Sequence, residues 1–259
     1  MPRTISVGPR RARPDDRLSV VEHLDELRRR LIVSALALVV AFAGMYAVHD
    51  QLIDLLIRPL PGDVNQLITL SPTEPFFVTL KVVFWAAVLV ALPIWLYQAY
   101  AFIIPAVAEQ PRRVVLAVTS GLAGLFAAGV AFGYLVVLPV ALNFLTGFGG
   151  DTFNTQLRAG EYFGFATTML LASGLLFEVP VAMTALSRMG ITSAKMYRTH
   201  WRIALVGIAA VAAVLPGGDP ISMVLLMLPQ FVLYGVGIAL SAKFGQPPIW
   251  RRDEEPDPV

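Results

Sequence analysis

The residues of this chain best placed to do chemistry are carboxylates. Glu178 stands alone in the run from Tyr162 to Ser187, which carries no other formal charge and is long enough to span a bilayer. A charge at that depth costs about 2.5–3.5 kcal/mol by insertion scales, so such residues face a bundle interior or a polar cavity and act there. The plainer reading is a protonated or paired carboxyl that only ties helices together, with Pro180 nearby already exposing backbone polar groups. Glu26 lies on the polar side of a helical pattern, beside Asp25 and the trio Arg28, Arg29 and Arg30. Its spacing of four from Arg30 suits a surface ion pair worth about 0.2–0.5 kcal/mol, and the arginine trio suits a topology anchor. Other chemistry is excluded by composition. There is no Cys, and His23, His49 and His200 all fall outside the apolar segments. No HExxH, GxSxG or phosphate-binding Gly-Lys loop occurs, which leaves metal ligation, nucleophilic catalysis and nucleotide-driven motion without residues to carry them. The expectation is a noncatalytic protein with no cofactor and no metal.

The elements that must position these carboxylates are membrane helices. Hydrophobic residues make up 56% of the 259 and charged residues 15%, against about 25% charged in an ordinary soluble domain. Mean hydropathy is +0.68 and the sequence pI about 9.0, yet no basic stripe interleaved with aromatic residues marks a nucleic-acid surface. Six apolar segments approach the roughly 20 residues a helix needs to cross the hydrocarbon, at about 31–48, 82–104, 114–138, 162–187, 203–215 and 221–240. The third is expected to end near Pro139, with a loop or interfacial piece about Gly147 to Gly150. The fifth rises only about 20 Å, so the last two spans, joined by Pro216-Gly-Gly-Asp219-Pro220, are expected to form a short hairpin in a thinned patch of membrane.

Charge then orients the bundle. Of the 20 Lys and Arg, 17 fall on one side of the alternating spans, and the other side holds only Arg58, Lys81 and Arg158. Positive residues gather in cytoplasmic loops, so both termini are expected in the cytoplasm and loops 49–81 and 139–161 outside, in a multi-pass protein of the plasma (inner) membrane. Ser19-Val-Val-Glu22 is a capping-box pattern, after which Leu18, Val21, Leu24, Leu27 and Leu31 describe an amphipathic helix running into the first span. Residues 1–17 read as a disordered basic extension, 18–244 as one membrane domain, and 245–259 as a disordered cytoplasmic tail.

The ordered motifs carry a resemblance. His23-Leu-Asp-Glu26-Leu-Arg28-Arg-Arg30-Leu31, Ser71-Pro-Thr-Glu-Pro-Phe76-Phe77, Tyr97-Gln, Ala101-Phe102-Ile-Ile-Pro105, Phe177-Glu178-Val-Pro180-Val, Gly190-Ile-Thr192 and Pro216-Gly-Gly-Asp219-Pro resemble TatC, the receptor subunit of the twin-arginine protein translocase, over about residues 18–244. The resemblance implies a glove-shaped six-helix protein that binds twin-arginine signal peptides of folded cargo, recruits single-span TatA and TatB partners, self-associates in a larger complex and draws on the proton-motive force. It also implies that Glu26 receives the signal's arginine pair, with Arg28, Phe102 and Pro105 shaping the site. A guanidinium suits a carboxylate because the two can bond in bidentate geometry. The family's second arginine-binding carboxylate falls where this chain has Pro111, and Glu109, the only acid in that loop, is the candidate replacement.

Glu178 matches the family's intramembrane glutamate, implied to contact partner helices or the signal's apolar region, and ten residues back from Arg188 is about 15 Å of helix, near mid-bilayer. Pro59, Phe76 and Phe77 match extracytoplasmic structural positions. Asp219 falls in the last extracytoplasmic turn, where a turn-forming role is the plainer one. Gly235 departs from the family, whose sixth span commonly carries an acid there. A secondary transporter with Glu178 as coupling carboxylate is the alternative, weakened by the lack of duplicated halves.

Overall fold

Long apolar runs broken by charged or Pro/Gly-rich punctuation fold, among the described residues, into ten α-helices. The computed structural model describes residues 20–62, 67–103, 112–148, 156–214 and 219–246. They contain α1 (Val20–Ala47), α2 (His49–Ile57), α3 (Glu74–Ile103), α4 (Arg112–Phe132), α5 (Leu138–Gly147), α6 (Ala159–Phe177), α7 (Val179–Arg188), α8 (Ala194–Thr199), α9 (Trp201–Val214) and α10 (Pro220–Phe244). Five spans are long and apolar enough to cross a membrane: Leu24–Ala47, Glu74–Phe102, Thr119–Gly147, Ala159–Arg188 and Pro220–Phe244, with Trp201–Ala213 as a shorter apolar helix. The six-span, all-helical reading therefore holds. The only β-type pairing among the described residues is an isolated bridge between Ile68 and Arg158.

Three boundaries differ from the sequence reading. The second span begins at Glu74, two turns before the expected position, because the apolar run continues through Pro75 to Leu80 despite its exposed Phe76 and Phe77. The third does not stop at Pro139. A π-turn over Gly133–Val137, in which Leu138 N–H donates to the Gly133 carbonyl, joins α4 to α5. Pro139 lies in the first turn of α5, where the missing N–H costs nothing and the widened turn relieves the ring's clash with the preceding carbonyl. The fourth span is two helices, α6 and α7, meeting at Glu178 with Pro180 in the first turn of α7. Pro93 and Pro229, in contrast, sit inside continuous helices.

The short fifth span is as expected. α9 has 14 residues, about 21 Å at 1.5 Å per residue against about 30 Å of hydrocarbon. It follows α8, whose N-terminus is capped by Ser193 Oγ accepting from Met196 N–H at 3.2 Å.

α6 is the central element. It packs on α3 and α4, while α7 packs on α10. The α4–α6 approach depends on small residues: a Cβ on Gly129 would stand 2.6 Å from the Ser173 carbonyl oxygen, and one on Gly174 2.5 Å from the Phe126 ring. α1 lies at the edge, packing chiefly on α3, and exposes Leu31, Ile32, Leu36, Val39 and Val40. Burying none of these is tolerable only in lipid, where an apolar face costs nothing.

Candidate functional site

Two faces of the bundle carry the polar work. The N-terminal face gathers the start of α1 and the ends of α3, α7 and α10. Here Arg30 crosses from α1 to α3. Its Nε donates to Glu26 Oε1 at 3.0 Å, and its Nη2 donates to the same oxygen at 2.5 Å and to the Ala101 carbonyl at 2.9 Å. Its Nη1 donates to Gln98 Oε1 at 3.1 Å. Helical periodicity sets up the first contact, since Glu26 and Arg30 are one turn apart on one face. The α3 contacts are tertiary. They convert the expected surface pair into a clasp that leaves the two side chains only 30% and 20% exposed.

Beside the clasp opens a cavity of about 310 Å³ lined by Glu26, Arg29, Arg30, Val33, Tyr97 and Gln98. Glu26 is the only acid in that lining, and its Oε2 accepts no hydrogen bond among the described residues. Lower on the same interface Trp95 Nε1 donates to the Ser34 carbonyl at 2.9 Å, fixing the depth of α1 against α3. Arg188, at the end of α7, donates to the Tyr100 hydroxyl at 3.2 Å. Of the residues expected here, Arg28 is exposed and outside the cavity lining, and Phe102 is half-buried at the end of α3. Pro105, Glu109 and Pro111 lie outside the described residues, as does Ser19 of the capping-box pattern.

Glu178 is 7% exposed, and neither carboxylate oxygen has a partner among the described residues. Its backbone carbonyl accepts from Val181 and Ala182 N–H, both at 3.0 Å, so it closes α6 and opens α7. Elsewhere an apolar recess of about 480 Å³ lies among α1, α2, α3, α4 and α6, with Leu52, Val82, Leu89 and Val130 in its wall. Glu178 does not line it.

The opposite face is closed by Glu74, which lies inside the Ser71–Phe77 motif and has no local pattern that marks its role. Its Oε2 accepts from Leu70 N–H at 2.8 Å, and its Oε1 from Arg158 Nε at 2.8 Å and Gly160 N–H at 3.4 Å. Asp219 is the N-cap of α10, accepting from Ser222 N–H at 2.7 Å. Phe76 and Phe77 stand exposed edge-to-face, 5.5 Å between centroids, and Pro59 is half-buried in the turn after α2.

Comparison with known proteins decides what bundle this is. The family model "Sec-independent protein translocase protein (TatC)" matches residues 22–229. The chain belongs to the TatC family. It is 39% identical over 231 residues to the Deinococcus radiodurans Sec-independent protein translocase protein TatC, covering 86% of this chain and 85% of that one. Against the chloroplastic TATC of Pisum sativum it is 35% identical over 223 residues, 85% of this chain and 63% of the plant protein's length. A crystal structure of the twin-arginine translocase receptor TatC in DDM superposes with TM-score 0.75 at 31% identity, covering 85% of this chain and 99% of that one. A second TatC crystal structure gives 0.69 at 33% identity, covering 85% and 98%. The protein is a multi-pass membrane component of a Sec-independent translocase, with a transport role. That membership displaces the secondary-transporter alternative.

Proposed function

We propose that this TatC-family protein is the signal-peptide receptor of its translocase, capturing the paired arginines of a folded cargo's signal at the Glu26 cavity. The observation that carries this reading is the cavity beside Arg30: one carboxylate, an amide oxygen and a main-chain carbonyl already arranged around a guanidinium. That donor-acceptor pattern suits arginine and not lysine, whose ammonium is a point charge without a planar fork. In this reading Arg28 and Phe102 contribute to the site with Pro105, and the role of the second carboxylate, absent at Pro111, passes to Glu109.

The same reading puts the N-terminal face in the cytoplasm. Described Lys and Arg side chains support that sidedness, with Arg28–Arg30, Arg188, Lys195, Arg198, Arg202 and Lys243 near this face against Arg58, Lys81 and Arg158 near the other. Residues 18–244 form the working membrane domain in the plasma (inner) membrane. The proton-motive force drives export. Single-span TatA and TatB helices assemble on the bundle, which itself associates into larger complexes, and Glu178 meets a partner helix or the inserted signal. Pro59, Phe76, Phe77 and Asp219 keep the outer side in shape.

Binding of an Arg-Arg signal peptide to the purified protein, compared with its Lys-Lys counterpart, tests the receptor reading. The Arg-Arg form binds more tightly, and equal binding of both contradicts the proposal. In the same assay Glu109→Gln weakens Arg-Arg binding, whereas wild-type affinity in this variant sends the second arginine elsewhere.

A further inference from the structure

Arg30 occupies the place that the receptor reading assigns to a signal arginine. Four of its five N–H donors are engaged, two on Glu26 Oε1, one on Gln98 Oε1 and one on the Ala101 carbonyl. The partners come from two helices, so the contact is both an ion pair and the clasp that holds the head of α1 against the end of α3. A ligand guanidinium that takes Glu26 in bidentate fashion needs Oε1 as well as Oε2, and Oε1 is already in use.

We infer that Arg30 is an internal ligand of the signal site, and that a signal arginine takes Glu26 by displacing it. This rests on the receptor reading of the Glu26 cavity. Exchange of one guanidinium for another gains little at the carboxylate itself, so a lone arginine has no advantage over the resident. A signal with two arginines brings a second cation for Oε2 or for a further carboxylate, and that surplus drives the exchange. Displacement also frees Gln98 and Ala101, which unclasps α1 from α3. Signal capture and a loosening of the first span are thereby one event.

An internal competitor reduces the apparent affinity of every ligand by the same fraction, that of molecules whose site is open. It lowers Arg-Arg and Lys-Lys affinity alike without changing their ratio. If Arg30 holds the site in about 90% of molecules, removing it raises both affinities about tenfold. R30K keeps the charge and loses the fork, so it is the informative variant, while R30Q removes both charge and fork. Q98A weakens the grip on Arg30 without altering its charge.

The test is titration of wild type, R30K, R30Q and Q98A with Arg-Arg and Lys-Lys signal peptides, with each variant's thermal melt as a folding control. The expected result is tighter binding of both peptides by one common factor in R30K and R30Q, and a smaller common gain in Q98A. Unchanged or weaker binding in R30K with a wild-type melt overturns the inference, because Arg30 then supports the site instead of filling it. A gain in R30Q with none in R30K overturns it too, since only charge repulsion would have been relieved. If R30K and R30Q melt early, a probe pair across the heads of α1 and α3 in the otherwise wild-type protein decides: a separation that grows on binding the Arg-Arg peptide supports displacement, and an unchanged separation contradicts it. A wild-type protein with no preference for Arg-Arg defeats the receptor reading itself, which is a separate outcome from a wild-type preference that Arg30 does not modulate.

Discussion

Glu74 and Glu178 are buried to the same degree, 8% and 7% exposed, and are opposite in every other respect. Glu74 accepts from three donors supplied by α3's own approach and by the start of α6, whereas Glu178 accepts none among the described residues. A buried carboxylate is tolerable when its hydrogen-bonding capacity is filled, and costly when it is not. The difference teaches which carboxylate belongs to the fold. Glu74 ties the segment before α3 to the start of α6, with both of its oxygens engaged by the protein itself. Glu178 keeps both carboxylate oxygens without a partner among the described residues, which leaves them free for the partner helix or inserted signal proposed above. Glu26 stands between them, with one oxygen held by Arg30 and the other open to the cavity.

The comparison breaks most visibly at Glu74. Glu74→Ala strands Arg158 and the Leu70 and Gly160 N–H groups together, and the melting temperature in detergent falls further than for any change at Glu178. Glu74→Gln recovers part of the loss, since its amide oxygen still accepts one of the backbone bonds. An unaltered melt for Glu74→Ala would remove the structural half of the contrast.

A second, smaller effect on the fold and a large one on transport are expected at Glu178. Glu178→Leu leaves the melting temperature unchanged or raised, because an unpartnered polar group leaves the hydrocarbon, while transport and partner crosslinking at this depth fall. Early unfolding of Glu178→Leu would make the residue a tie between helices and erase the functional half. Glu178→Gln gives the finest distinction: transport survives the amide if the group serves as a hydrogen-bonding partner, and fails if its charge or proton is needed.

Much of the fold was readable from spacing. The six apolar runs and the short fifth helix follow from hydropathy and length alone. The π-turn at Gly133–Val137 was not, because Pro139 signals a helix end locally, whereas the widened turn before it lets the helix continue, packed against α6 and α10. The break at Glu178 carried a sign in Pro180, two residues on.

The site was readable in part. Glu26 stood out by type and by its one-turn spacing from Arg30. Gln98 and the Ala101 carbonyl join it through contacts 68 and 71 residues apart in the chain, and no local pattern encodes such a distance. Glu74 and Arg158 are likewise 84 residues apart, each looking like an ordinary loop charge until the helices bring them together.

The central claim is that Glu26 receives a guanidinium from the signal. Its most direct test is the affinity of purified Glu26→Ala for an Arg-Arg signal peptide, measured beside its thermal melt. Loss of a charged hydrogen-bond partner predicts binding weaker by about 1.5–3 kcal/mol, or about 10- to 150-fold, in a protein that still inserts and folds because this part of α1 lies at the bundle's edge. Wild-type affinity in a normally folded Glu26→Ala protein would reduce Glu26 to a partner for Arg30 and place the signal's arginines elsewhere.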